Sequence, residues 1–167
     1  GNKLDECGYW KEVRSTIKAE CGTELLDLKD TRPEVFEKNN YRLFSTIKKV
    51  SGKNIIVDSS KRHYRLKLLL NSPLFRVVIV HLVRDARAYS YSSLLTARKK
   101  GQSDMAFYIK LIEWQKKNLG IKAIYGRSPA YLQIRYEDLV SDYVAELSRI
   151  MEIFDLPLDK SRLFDPK

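Results

Sequence analysis

An α/β fold with a mainly parallel sheet is the architecture this sequence predicts, and three observations carry it. Segments with a helical apolar period alternate with short β-branched runs. One of those runs, Phe75 to Val83, sets Val77, Val78, Ile79 and Val80 in succession, apolar on both faces as a central parallel strand is. A polar cluster follows each run, where folds of this class gather ligands at the carboxyl ends of their strands.

The elements follow in order. Trp10, Val13 and Ile17 recur at helical spacing, and Cys21-Gly22 offers a stop. Thr31, Pro33 and Glu34 open a second helix, whose stripe of Phe36, Leu43, Ile47 and Val50 ends at Ser51-Gly52. Asn54 to Val57 reads as a short strand. The polar turn Asp58-Ser59-Ser60-Lys61 then leads into a helix through Leu70 that closes at Asn71-Ser72-Pro73. The strand Phe75–Val83 stops at Arg84-Asp85, and the helix Ala86–Lys100 follows, with Asp85 at its start and Arg98, Lys99 and Lys100 at its end, matching the macrodipole. Ser103-Asp104 begins a helix towards Gly120 with Met105, Tyr108, Ile109, Ile112 and Trp114 facing inward. Ala130 to Ile134 is a third strand. The last helix carries Val144, Leu147, Ile150, Met151 and Phe154 and stops before Pro157.

Composition bounds the function. The chain has 167 residues, 44% hydrophobic, with Tyr 10, Phe 6 and Trp 2 against Gly 7 and Pro 5, which excludes collagen-like, low-complexity and wholly disordered classes. One domain over 1–167 is expected. At this size folding buries roughly 70% of the unfolded surface, so no staple is required. Cys7 and Cys21 are too few for a disulfide framework or a four-ligand zinc site, and ordinary reduced thiols are expected. No apolar run approaches the roughly 20 residues of a membrane span. Gly1 to Glu6 lacks the basic-then-apolar pattern of a secretory leader, so a soluble, cytoplasmic location is expected. Lys plus Arg 31 against Asp plus Glu 21 leaves a formal charge of +10, which calls for an anionic ligand. Nucleic acid is not the expected one, because the basic residues form no basic-aromatic array or reader motif.

Three clusters carry the chemistry: Asp58-Ser59-Ser60-Lys61, Arg84-Asp85-Ala86-Arg87 and Arg135-Tyr136-Glu137-Asp138. On parallel strands all three share one rim, and unpaired N–H groups at the helix starts favour anions such as phosphate. The segment Val80-His81-Leu82-Val83-Arg84-Asp85-Ala86-Arg87-Ala88, with Ser92 beyond it, resembles the one with which sulfotransferases hold the 3′-phosphate of 3′-phosphoadenosine 5′-phosphosulfate (PAPS). The resemblance assigns that phosphate to Arg84 and Ser92. A guanidinium presents a planar fork to phosphate oxygens, and a hydroxyl on the next helix adds a donor from another direction. The competing reading is structural: Arg84 pairs with Asp138 or Asp58, and Ser92 backs onto its own helix.

Ile134-Arg135-Tyr136-Glu137-Asp138-Leu139 is similar to a later family segment, which places Tyr136 beside the adenine. A core tyrosine with its hydroxyl at the rim is the alternative. Val57-Asp58-Ser59-Ser60-Lys61 resembles a motif of carbohydrate-type and bacterial sulfotransferases, adding Ser59 and Ser60 to the nucleotide site. Glu6-Cys7-Gly8-Tyr9-Trp10 echoes their Cys-Pro-Phe-Trp segment, with Gly-Tyr in place of Pro-Phe. The resemblance implies a three-layer parallel sheet flanked by helices, of the P-loop nucleoside triphosphate hydrolase-like type and incomplete in this chain. The family's Gly- and Ser/Thr-rich 5′-phosphosulfate loop belongs upstream of Cys7 and its late basic loop after Lys167, and neither is in the sequence. Ser51-Gly52-Lys53-Asn54 is a poor substitute, since it precedes a strand and lacks the earlier glycine.

Sulfuryl transfer needs a cation on the bridging oxygen and a base near the acceptor, and demands no metal. Lys61 is the candidate cation. His63, in Lys61-Arg62-His63 and 21 positions before Arg84, stands close to where cytosolic sulfotransferases keep a catalytic histidine. The alternatives are a solvated lysine and a surface histidine, while His81 inside the strand is structural. Two functional classes remain: a PAPS-dependent sulfotransferase acting on a carbohydrate, lipid, peptide or small-molecule acceptor, or an inactive nucleotide-binding or interaction module. For the enzyme, a luminal fragment of a Golgi-type protein is the alternative location. Acceptor class and oligomeric state are not legible.

Overall fold

The computed structural model describes residues 7–23, 26–101 and 103–163. Gly1–Glu6, read above for a leader and for the start of the cysteine-containing segment, lie outside them, as does Lys167. The chain divides into two compact units, Gly1–Val77 and Val78–Lys167. No described helix is long and apolar enough to cross a membrane.

In the first unit, α1 (Gly8–Cys21) buries Val13 and Ile17 against α2 (Pro33–Ser51), which buries Phe36, Asn40 and Thr46. Each helix ends where the sequence places its glycine. Gly22 and Gly52 adopt φ 71° and 64°, and each N–H returns to a carbonyl four residues back, the left-handed cap that glycine enters without steric cost. Helix α3 (His63–Asn71) lays the Arg65 guanidinium over the rings of Phe36 and Phe44, 5.3 and 5.8 Å from their centroids. Asn54–Val57, expected as a strand, forms none. Val57 is 87% exposed, and with no neighbouring strand among the described residues to satisfy its backbone groups the segment stays irregular.

The second unit is built on β1 (Ile79–Val83) and β2 (Tyr131–Arg135), paired in parallel with Ile79 opposite Tyr131 and Val83 opposite Arg135. The first strand is shorter than the expected Phe75–Val83 because its partner runs out. The Ile79 N–H reaches the Ala130 carbonyl at 2.7 Å, and the chain before Ala130 is a turn closed by Tyr131 N–H on Ser128 O. Nor are both faces covered: Ile79, His81 and Val83 are buried, whereas Val80 and Leu82 are 41% and 49% exposed. His81 is structural, with Nδ1 2.7 Å from the Tyr131 hydroxyl and Nε2 2.9 Å from Asn118 Oδ1.

Helix α4 (Ala86–Lys99) packs on α5 (Met105–Tyr125), and the turn between them is clamped by Arg98, whose two guanidinium nitrogens reach the Asp104 carboxylate at 2.8 and 2.7 Å. Helix α5 corrects the expected inward set. Met105, Tyr108, Ile109 and Ile112 are 52–60% exposed, whereas Trp114, also of that set, turns towards the rim, and Asn118 meets His81 of β1. Apolar residues occur on nearly every side of this helix, so the sequence marks no single face to turn inward. The expected last helix is preceded by a short one: α6 (Tyr136–Ser141) runs to Asp142, which caps α7 (Tyr143–Glu152) by accepting from the Ala145 N–H at 2.9 Å.

Candidate functional site

Because β1 and β2 are parallel and leave their ladder at Val83 and Arg135, the residues that follow, Arg84 and Tyr136, emerge side by side on one rim. The Arg84 guanidinium lies 5.6 Å from the centroid of the half-exposed Tyr136 ring, a cation–π contact worth about 0.5–1 kcal/mol at an exposed site. Arg84 is itself exposed and has no carboxylate partner among the described residues. Among the described residues Arg84 makes no ion pair with Asp138, and Asp58, in the first unit, is taken by Arg65 at 2.7 Å.

Asp85 leaves Arg84 alone for a local reason. It caps α4, accepting from the N–H groups of Arg87 and Ala88 at 2.9 and 3.1 Å, and its second oxygen meets the Arg87 guanidinium at 3.2 Å. The Arg87 guanidinium, helped by the Ala88 N–H, holds the Asp85 carboxyl below the usual range. Ser92 stands exposed two turns along α4, and its carbonyl accepts from the Thr96 hydroxyl at 3.1 Å. Ser90, two positions earlier, is the buried serine of this helix, and its hydroxyl has no partner among the described residues.

Two contacts at the rim escape sequence reasoning. The Trp114 indole N–H donates to the Arg84 carbonyl at 3.0 Å, and the Asp85 N–H donates to Glu137 Oε1 at 2.8 Å. That bond from Asp85, followed by one from its own backbone, keeps the Glu137 carboxyl below its ordinary range. The only advance signal is that a half-buried tryptophan needs a partner for its N–H. A cavity of about 460 Å³ lies against β1 between His81, Trp114, Asn118 and Gln133, and Arg84, Ser92 and Tyr136 do not line it.

The remaining candidates belong to the first unit. Asp58 closes an Asx turn onto the Ser60 N–H at 2.9 Å and accepts from Arg65 Nε through its other oxygen. Burial pushes its carboxyl up, but the bonds from Arg65 and Ser60 outweigh burial and the net shift is downward. Ser59, Lys61 and His63 are exposed, and His63 is the first residue of α3. Lys61 takes φ 57°, a left-handed conformation costing a residue with a Cβ about 1 kcal/mol or more. Since Asn54–Val57 is not a strand, this cluster does not sit at a strand end, unlike the other two. Gly52, weighed above as part of a substitute phosphate loop, is the cap of α2.

A family model described as the sulfotransferase family matches residues 24–160. No curated protein matches the chain. No solved structure matches it either.

Proposed function

The chain belongs to the sulfotransferase family, and from that premise we propose that it binds PAPS and transfers its sulfuryl group to a hydroxyl or amine acceptor. The observation that carries this reading is Arg84: an exposed guanidinium, with no carboxylate partner among the described residues, held over Tyr136 at the carboxyl end of a parallel strand pair. A cation left unpaired where ligands gather suits a phosphate, and its neighbour ring suits a purine. On this reading Arg84 and Ser92 hold the 3′-phosphate, Tyr136 borders the adenine, Ser59 and Ser60 donate to the nucleotide, and the two strands belong to a three-layer, P-loop nucleoside triphosphate hydrolase-like sheet.

When bound, PAPS supplies an activated sulfuryl group on a phosphate leaving group. Lys61 offsets the negative charge that collects on the bridging oxygen as the S–O bond to phosphate breaks, and its strained backbone is consistent with a residue held for that purpose. His63, two residues on, accepts the proton that the acceptor releases as its oxygen or nitrogen bonds to sulfur. The test has two parts. Calorimetry is expected to show micromolar binding of adenosine 3′,5′-bisphosphate that falls roughly 10- to 100-fold in Arg84→Ala, the value of charge-assisted hydrogen bonds. Transfer of radiolabelled sulfate to a panel of acceptors is expected from the full gene product. No bisphosphate binding by the intact chain overturns the reading, and binding without transfer to any acceptor class converts it to the inactive module.

A further inference from the structure

The peptide group that joins Arg84 to Asp85 is held at both of its polar ends by side chains from other elements. Its carbonyl oxygen accepts from Trp114 on α5 at 3.0 Å, and its N–H donates to Glu137 at the start of α6 at 2.8 Å. A peptide group is planar and rigid, so fixing its oxygen and its nitrogen fixes the plane, and with it ψ of Arg84 and φ of Asp85. The junction needs this. Val83 is the last residue of the ladder, and the first helical bond of α4 runs from the Tyr89 N–H to the Asp85 carbonyl, so the Arg84–Asp85 peptide group itself makes neither a sheet nor a helix bond. Without the two contacts the Arg84 Cα–Cβ bond could swing, and the guanidinium would lose its station over Tyr136.

We propose that Trp114 and Glu137 are positioning residues that pre-set Arg84 for the 3′-phosphate, an assignment that rests on the nucleotide reading above. Neither touches the ligand. Each removes backbone freedom that binding would otherwise have to freeze, the general route by which preorganisation raises affinity. The carboxylate form of Glu137 is favoured by the bond from the Asp85 N–H, so the clamp is set at neutral pH.

Trp114→Phe keeps the ring and removes the N–H, Glu137→Leu removes the acceptor, and Glu137→Gln restores an acceptor without the charge. The readout is the ratio of affinities for adenosine 3′,5′-bisphosphate and adenosine 5′-monophosphate, together with amide exchange at Asp85. W114F and E137L are each expected to lower the ratio roughly three- to tenfold, about one hydrogen bond, while E137Q retains most of it. In an R84A background neither is expected to change bisphosphate affinity further. E137L is also expected to speed Asp85 exchange, with or without nucleotide. Equal losses for both nucleotides, an unchanged ratio, or additive losses on R84A overturn the assignment. A wild-type chain with no preference for the bisphosphate overturns the nucleotide reading itself, and with it the phosphate as the target of the clamp, whereas Asp85 exchange reports separately on whether the clamp exists.

Discussion

The Asp58–His63 loop and the Arg84–Tyr136 rim are composed of much the same residue types, and they use their charges in opposite ways. In the loop the acid is spent internally: Asp58 binds Arg65 and the Ser60 N–H, and Arg65 in turn lies on Phe36 and Phe44. At the rim the acids are spent on backbone and neighbours, Asp85 on the start of α4 and Arg87, Glu137 on the Asp85 N–H, and Arg84 keeps its charge. An arginine serves packing where a carboxylate claims it and serves recognition where the nearby carboxylates are claimed by something else.

That contrast is open to direct test. The largest effect is expected from exchanging the roles by mutation. Arg65→Leu leaves the Asp58 carboxylate partly buried and unpaired and strips two aromatic contacts, so urea unfolding is expected to show a loss of about 2 kcal/mol, less than for a fully buried pair. Arg84→Leu is expected to cost no more than about 1 kcal/mol in the same experiment, the value of its cation–π contact, while weakening bisphosphate binding roughly 10- to 100-fold. Equal stability losses would erase the distinction.

Next in size is Ser92→Ala, expected to weaken bisphosphate binding roughly two- to tenfold by calorimetry without altering the melting temperature, since the hydroxyl is exposed. Lys61→Gly is a smaller change with two opposed readouts. Relief of the φ 57° backbone is expected to raise stability by about 0.5–1 kcal/mol, and loss of the ammonium is expected to lower sulfate transfer. Stability and turnover moving in the same direction would argue against a role for Lys61 in the reaction.

The smallest effect is one of pH. The Asp58 carboxyl lies below its ordinary value in the folded chain, so it stabilises the fold above its unfolded-state pKa, and that contribution is lost as pH falls through the folded value. The melting-temperature difference between wild type and Asp58→Asn is expected to be full at neutral pH and to close in strongly acid solution. A difference that grows on acidification would reverse the sign of the Arg65 contact.

What the sequence made legible was local. Gly22 and Gly52 end their helices and Asp85 begins α4 because these residues act on backbone within a turn of themselves. That the Arg84 and Tyr136 clusters share one rim was legible for a topological reason, since parallel strands bring their exits together. Asn54–Val57 misled because a strand exists only with a partner, which no run of four residues announces. The phase of α5 misled because Met105 and Ile112 are as apolar as Leu111 and Trp114, so only packing decides which side turns in. The clamp was beyond reach, being made by a residue 30 positions from Arg84 and another 52 positions from Asp85 along the chain.

The phosphorus resonances of bound adenosine 3′,5′-bisphosphate test the assignment of Arg84 most directly, because they separate the two phosphates. In wild type the 3′-phosphate signal is expected to move on binding and, at saturating ligand, to return towards its free position in R84A while the 5′-phosphate signal keeps its bound shift. A 3′ signal that does not respond to binding, or two signals that respond alike to loss of Arg84, would contradict it.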